Sequence, residues 1–230
     1  MRVKRLSYRV KLTLFLTCAI ATLFLVNAAY DGLDTLSRLN VIEADRDQWQ
    51  RPSDVIQALD LKPGNVVVDL GCGSGYFTLK LSGPVGKSGR VLAEDIRWLP
   101  LAFLWLRSFQ KSQHNVSIVH GEPDNPHLHT QSVNAVLIAN TYHELTNSRT
   151  ILIQVVQALV SGGRLVVVDR EPPPGNQGSR WAAAEHHEVS SEQVESDVRH
   201  AGLEIVSRRD LFIQNDPLNE NWWMITARKP

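Results

Sequence analysis

The feature that most constrains the fold is an apolar, strand-like run that leads directly into a glycine-rich turn. Val66–Leu70 (VVVDL) is rich in β-branched residues and is typical of a strand buried on both faces of a parallel sheet. Gly71, Gly73 and Gly75 follow at alternate positions, and a helical pattern begins at Tyr76. A strand, a tight turn and a helix in this order predict the first unit of an α/β fold. In such folds the turn lies at the sheet edge where ligands bind.

The rest of the body repeats this alternation of strand and helix patterns. Further strands are predicted over residues 90–96, 116–119, 135–139 and 164–169, with helices over 149–160 and from Ser190 onward. The last two strand patterns, 203–211 and 222–228, are joined by a short polar loop and predict an antiparallel hairpin. The predicted fold class is therefore α/β, with a doubly wound, mostly parallel seven-stranded sheet that ends in this hairpin.

The amino-terminal segment has a different character from the body. Residues 12–30 are uncharged and mostly apolar, and residues 1–11 before them hold five basic side chains and no acid. A run of 19 residues is about long enough to cross a bilayer as one helix, which favours a membrane anchor. A signal peptide cleaved near residues 26–28 is the alternative. The predicted divisions are the anchor or signal over 1–30, a helical lead-in over 31–51 and the main domain over 52–230.

Composition excludes several classes of protein. With 43% hydrophobic and 21% charged residues, the chain is neither disordered nor a polytopic membrane protein. Two cysteines are too few for a disulfide scaffold or a cysteine-rich zinc module. Beyond residue 11 the chain has 19 basic and 24 acidic residues, and this negative body is a poor partner for nucleic acid.

A second candidate ligand-binding residue, Asp95, follows the glycine turn in the sequence. Asp95 lies 20 residues after Gly75, at the end of the second predicted strand, where a carboxylate can accept hydrogen bonds from both hydroxyls of a ribose. The glycines have the spacing Gly-x-Gly-x-Gly, and Tyr76 and Phe77 occupy the place of the last glycine in the dinucleotide fingerprint. This departure counts against an oxidoreductase that uses NAD.

Residues 66–81, VVVDLGCGSGYFTLKL, resemble the first motif of the class I S-adenosylmethionine-dependent methyltransferases. The resemblance extends over about residues 50–230. It implies the Rossmann-like methyltransferase fold, S-adenosyl-L-methionine as cofactor and Asp95 as the ribose ligand. It also implies that the methionine part of the cofactor is lined by Asp69, Gly71, Gly73 and Gly75.

The same resemblance suggests cofactor contacts at two other strand ends. In the loop after the third strand, Glu122 and Asp124 are both candidates to meet the adenine amine. Asn140, at the end of the fourth strand, would face the transferring methyl group. Asn134 stands where the family usually has Asp, and we expect that change to affect local hydrogen bonding only.

The residues after the fourth strand are the catalytic candidates. His143 is the best candidate for a general base, because an imidazole has an unperturbed pKa of about 6.5. The alternative is a structural histidine that hydrogen-bonds to the backbone. Tyr142 is a second catalytic candidate, with packing over the cofactor as its alternative role, and we interpret Glu144 as a solvated acid of the first helical turn.

The connection over residues 170–189 is long enough to form a lid. It contains Pro172–Gly175, Trp181 and the run His186-His187-Glu188, and we interpret it as a cap that faces the substrate. Adjacent residues on a helix point about 100° apart, so the two histidines would not chelate a metal from one face. We therefore expect no metal site.

The function that these observations favour is methyl transfer to a small, possibly lipid-like molecule at a membrane, where residues 12–30 would hold the protein. The alternative is a catalytically silent, membrane-tethered module that binds S-adenosylmethionine. The positive-inside rule places the body outside the cytoplasm, whereas the cofactor is made inside, so the side of the membrane stays open. Export after cleavage of residues 1–30 is the corresponding alternative for localisation.

Overall fold

The computed structural model describes residues 7–173, 187–214 and 216–230, and within them seven strands form one sheet. The strands are β1 (Val66–Leu70), β2 (Arg90–Asp95), β3 (Val116–His120), β4 (Val133–Ala139), β5 (Leu159–Arg170), β6 (Glu204–Ile213) and β7 (Trp222–Arg228). The helices are α1 (Tyr8–Trp49), α2 (Pro52–Ala58), α3 (Tyr76–Val85), α4 (Trp98–Gln110), α5 (Ser148–Ala158) and α6 (Ser191–His200).

The strand order is β3-β2-β1-β4-β5-β7-β6. The strands from β3 to β5 are parallel to one another, whereas β7 pairs antiparallel with both β5 and β6. This topology confirms the predicted doubly wound α/β sheet with a C-terminal antiparallel hairpin. The chain leaves β1 toward β2 and β3, then returns to the other side of β1 as β4. The point between β1 and β4 is therefore where an open α/β sheet forms its ligand crevice.

The central strands β1 and β4 are mostly apolar because helices cover both faces of the sheet. In β4, Val136 and Ile138 belong to the core that includes α5 and α6, whereas Ala135 and Leu137 belong to the core that includes α2 and α3. Val66–Leu70 alternates in the same way between these two cores. Burial on both faces therefore explains the continuous apolar runs from which the strands were predicted.

Two helix starts follow the expected capping chemistry. Ser190 caps α6, and its hydroxyl accepts a hydrogen bond from the backbone N–H of Gln193, as the sequence predicts. Asn147 caps α5 in the same manner through the N–H of Thr150. Both helices contribute buried side chains to the same core cluster, so they lie on one face of the sheet.

The chain divides into two compact units, Met1–Asp45 and Arg46–Pro230. The helix α1 runs through most of residues 12–30 and of the predicted lead-in over 31–51. In the part of the chain that the structure describes, no helix combines the length and the apolar character that crossing a membrane requires. The predicted transmembrane span over residues 12–30 is therefore not supported.

Candidate functional site

The glycine turn after β1 is shaped by two glycines that lack room for a side chain. A Cβ on Gly71 would lie 2.2 Å from Cγ2 of Thr141, and one on Gly75 would lie 2.3 Å from Cδ1 of Leu104. All three glycines of the turn have positive φ, but a Cβ on Gly73 would meet no atom within 4 Å. Gly71 and Gly75 thus serve the close packing of the turn, whereas Gly73 borders open space.

The backbone N–H groups of this turn are already bonded within the protein. Those of Gly71 and Cys72 donate to Glu94, one to its carboxylate and one to its carbonyl oxygen. The N–H of Gly73 donates to Oδ2 of Asp95 at 2.9 Å, and that of Gly75 donates to the Cys72 carbonyl. A dinucleotide-binding turn offers such N–H groups to the pyrophosphate. Here they are directed at acidic residues, so the turn is poorly suited to bind an anion.

Three buried carboxyl groups surround the turn: Asp69, Glu94 and Asp95, each only 3% exposed. Burial raises the pKa of Asp69 to about 6 and that of Glu94 to about 7. The cations nearby are Arg97, which pairs with Asp95, and Arg107, which donates to the carbonyl of Ser74. Desolvation is the main cause of these raised pKa values, and with three carboxyl groups beside two arginines the turn disfavours an added anion.

The buried Glu94 carboxyl makes folding stability depend on pH. Its pKa is about 7 in the folded protein and 4.5 as its ordinary value, so the folded state prefers the protonated form. The contribution of Glu94 to folding stability is therefore most favourable below pH 4.5, and it becomes less favourable as the pH rises toward 7. We expect Glu94→Gln to raise the free energy of unfolding at pH 8, by up to about 3 kcal/mol, and to change it little at pH 4.5.

Thermal unfolding of both proteins between pH 4.5 and 8 measures this difference. Glu204→Gln is the matched control, because Glu204 is an exposed carboxylate on β6. Equal pH profiles for Glu94→Gln and the unsubstituted protein would contradict the expected effect of burial.

Asp69 and Asp95 both lie where their strands end, but they have different partners. Asp69 accepts a hydrogen bond from the hydroxyl of Thr78 at 2.5 Å, which joins β1 to α3. Asp95 accepts from the N–H of Gly73 through one oxygen and from the N–H of Arg97 through the other. Asp95 therefore positions the glycine turn itself, a role that the sequence did not reveal.

The residues predicted to meet adenine follow β3. Glu122 and Asp124 are exposed and lie in a tight turn, closed by paired backbone hydrogen bonds between Glu122 and Asn125. Nearby, the ring of Trp98 stacks on His120 with centroids 4.3 Å apart. Trp98 is 67% exposed, which leaves an aromatic face beside the carboxyl ends of β2 and β3.

Asn140 ends β4 next to the glycine turn. It has a φ of 54°, in the left-handed region, and its N–H donates to the carbonyl of Val168. Its side-chain Oδ1 is buried and has no hydrogen-bond partner in the structure. A buried acceptor without a partner costs free energy, so this atom is suited to a donor on a ligand.

His143 is buried and held by a carboxylate. It lies in a single 3-10 turn, Tyr142–Glu144, and its Nδ1 is 2.8 Å from Oδ1 of Asp169. The backbone N–H of His143 donates to the other oxygen of Asp169 at 3.1 Å. Because a carboxylate accepts, this contact places the imidazole proton on Nδ1 and leaves the lone pair on Nε2. The alternative of a histidine bonded to backbone does not describe this ring.

Tyr142 has no exposed surface and belongs to the core on the α5 side of the sheet. Its hydroxyl donates to Oδ2 of Asp197 on α6 at 2.8 Å. The geometry favours the packing role over the catalytic one, because the hydroxyl is enclosed and already bonded.

His187 lies close to His143, and the sequence does not predict this contact. Nδ1 of His187 is 3.2 Å from Nε2 of His143, although the residues are 44 positions apart. The carboxylate of Glu144 lies 3.8 Å from the same Nε2. Neither periodicity nor spacing in the sequence signals this contact. Of the remaining cap residues, Pro174, Gly175, Trp181 and His186 lie outside the described residues.

Comparison with known proteins agrees with the fold and with the glycine motif. A sequence model of the ubiE/COQ5 methyltransferase family matches residues 22–175. The demethylmenaquinone methyltransferase of Staphylococcus saprophyticus is 24% identical over 148 residues, which cover 64% of this chain and 60% of that protein. The corresponding enzyme of Oceanobacillus iheyensis is 22% identical, with 54% and 52% covered. The chain thus spans little more than half the length of the curated relatives it matches.

Solved structures are similar over most of the chain. A SAM-dependent methyltransferase from Aquifex aeolicus has a TM-score of 0.67 and 21% identity, over 84% of this chain and 97% of that one. Geranyl diphosphate C-methyltransferase from Streptomyces coelicolor A3(2) has the same TM-score and 15% identity, with 79% of each chain covered. At these identities the likeness establishes the fold, which is the Rossmann-like methyltransferase fold.

Proposed function

The chain belongs to the ubiE/COQ5 methyltransferase family, and from that premise we propose that it transfers a methyl group from S-adenosylmethionine to a small, lipophilic molecule. S-adenosylmethionine is the cofactor that accompanies this family and fold. When bound, it supplies a methyl group on a sulfonium, which is already an activated leaving group. The protein then has to bind, orient and exclude water rather than form a covalent intermediate.

The observation that carries the proposal is the acidic surrounding of the glycine turn. S-adenosylmethionine is cationic overall, since its sulfonium and ammonium outweigh its carboxylate, whereas the pyrophosphate of NAD is anionic. The N–H groups of Gly71 and Gly73 donate to the carboxyl groups of Glu94 and Asp95, so they are not offered to a pyrophosphate. A cationic cofactor is attracted by the carboxylates at this turn, and an anionic one is repelled.

We propose a role in cofactor binding for individual residues at this end of the sheet. The open space beside Gly73 leaves room for it, and the buried Oδ1 of Asn140 offers an acceptor that lacks a partner. Asp95 would bind the ribose hydroxyls, and Glu122 or Asp124 would meet the adenine amine. The exposed ring of Trp98 lies at the same end of the sheet and would cover the base.

On the acceptor side we propose His143, whose ring Asp169 holds in one orientation with the lone pair on Nε2. A residue held in this way can act on the proton of an acceptor hydroxyl. The names of the similar proteins support a lipophilic acceptor, since demethylmenaquinone and geranyl diphosphate both carry isoprenoid chains.

Calorimetric titration of the full chain with S-adenosylmethionine, S-adenosylhomocysteine and NAD tests the proposal. We expect micromolar binding of both adenosyl compounds and no binding of NAD. A folded protein that binds neither adenosyl compound would overturn the proposed function. Binding without transfer of labelled methyl to a panel of quinols, phenols and prenyl compounds would favour the silent module instead.

We also propose that the amino-terminal part of α1 holds the protein at a membrane surface. Several of its described apolar side chains are exposed, among them Phe15, Leu23 and Phe24, each at least 70% exposed. Residues 1–11 add five basic side chains, which attract anionic lipids.

Replacing Phe15 and Phe24 together with aspartate should reduce co-sedimentation with phosphatidylglycerol-containing vesicles by about tenfold. The matched control is Phe109→Asp, since Phe109 is also an exposed phenylalanine but lies on α4. Equal sedimentation of the double variant and the unsubstituted protein would exclude this role for residues 12–30.

A further inference from the structure

Three potential metal ligands converge beside the buried His143. Its Nε2 is 3.2 Å from Nδ1 of His187 and 3.8 Å from Oε1 of Glu144. One ligand atom from each residue can be chosen so that all three lie within 4.8 Å of one another. The imidazole rings meet almost perpendicularly, with an interplanar angle of 84° and centroids 5.2 Å apart. Two nitrogens and one carboxylate oxygen thus face a common point.

The spacing of these atoms is close to that of ligands around a metal ion. Nitrogen and oxygen ligands lie about 2.0–2.2 Å from a tetrahedral zinc ion, which puts neighbouring ligands about 3.4 Å apart. The two separations measured from Nε2 of His143 lie on either side of this value. Glu144 is about half exposed, so its side chain is free to rotate closer.

The contact with Asp169 prepares His143 for metal binding. Metal-binding histidines usually donate their second ring N–H to a carboxylate, which fixes the ring and makes the ligand nitrogen more basic. Asp169 is fully buried and does this at Nδ1 with a distance of 2.8 Å. A general base would need the same contact. It would not need a second imidazole nitrogen and a carboxylate at the same Nε2.

We propose that His143, Glu144 and His187 bind a divalent transition metal ion, with Zn²⁺ as the best match to two imidazoles and one carboxylate. His143 is buried, whereas Glu144 and His187 are exposed, so a fourth coordination position faces solvent. Such an open position takes water or an oxygen atom of a ligand.

In the setting of the proposed methyl transfer, that oxygen belongs to the acceptor. The inferred substrate class is therefore a lipophilic molecule with a hydroxyl or enol group. The metal would activate this oxygen by lowering its pKa, and Nε2 of His143 would then be a ligand; only in the metal-free protein would the same Nε2 be available for the base role proposed above. This assignment of the acceptor rests on the proposed function, whereas binding of the metal does not.

The experiment is a calorimetric titration of the full chain with Zn²⁺, after EDTA has removed bound metal. We expect one Zn²⁺ per chain. His187→Ala should weaken Zn²⁺ binding at least about 100-fold, and Glu144→Gln at least about tenfold. Asp169→Asn should weaken it about 10- to 100-fold. The exposed positions of His187 and Glu144 keep the test valid if replacement of a buried residue impairs folding. His129→Ala, at another exposed histidine, is the matched control and should bind Zn²⁺ normally.

The comparison among variants decides the inference. Absence of Zn²⁺ binding, or equal affinity of His187→Ala and the control, would overturn it. S-adenosylmethionine binding is measured on the same samples, so that the two proposals are tested separately. Cofactor binding without Zn²⁺ binding would leave the proposed function standing and remove the metal site. Zn²⁺ binding without cofactor binding would support the metal site and overturn the proposed function.

Discussion

Replacing Gly73 with valine should abolish the binding of S-adenosylmethionine, with a loss of affinity of at least about 100-fold, or about 2.7 kcal/mol. Gly73 is the one glycine of the turn where an added Cβ meets no atom within 4 Å. That space is open in the protein and is where the cofactor would lie, so a branched side chain fills the site. The effect is measured by titration with S-adenosylmethionine and S-adenosylhomocysteine.

The backbone strain of this substitution has a matched control. Gly73 has a φ of 54°, and a side chain there costs about 1–2 kcal/mol of folding stability. Gly162 also has a positive φ and open space around its Cβ position. It lies near the amino end of β5, whereas the glycine turn follows the carboxyl end of β1. Gly162→Val should lose similar stability and keep full affinity. If Gly73→Val also keeps its affinity, the cofactor does not occupy the glycine turn.

Replacing Asp95 with alanine should lower cofactor affinity about 100-fold, because two kinds of contact are lost together. The proposed bonds to the ribose disappear, and a charged hydrogen bond of this kind contributes about 1.5–3 kcal/mol. The bond from the N–H of Gly73 is also lost, so the turn is no longer held in place. Asp95→Asn keeps an acceptor for Gly73 and should lose less affinity than Asp95→Ala.

Titration of these variants separates the two contributions, and Asp60→Ala is the control. Asp60 pairs with Arg164 at 3.3 Å, and its side chain is 55% exposed. Asp95→Ala that is folded by circular dichroism and binds with unchanged affinity would refute the role of Asp95.

The sheet could be predicted from the sequence because burial on both faces leaves a simple pattern. β1 and β7 begin and end at the predicted residues. β5 begins earlier than expected, because Leu159 already pairs with Val133 before a register shift. A pair of glycines at 162 and 163 is typical of the end of a helix, yet both residues lie inside β5. Hydrogen bonding across strands thus overrode a local signal.

The site was predicted only where its residues follow strands directly. The glycine turn, Asp95 and Asn140 could be placed because parallel strands end at one edge of the sheet. Contacts between residues that are distant in sequence could not be predicted in this way. His143 and His187 meet through a connection without periodicity, and the contact of Asp169 with His143 joins the ends of β4 and β5.

The position of β7 determines when the sheet can be completed during synthesis. β7 lies between β5 and β6, although it is the last of the described strands to be made. Until Trp222–Arg228 leaves the ribosome, β5 has an unpaired edge and β6 has no neighbour. Exposed strand edges of this kind invite pairing with other chains. The sheet is therefore completed only after translation of β7.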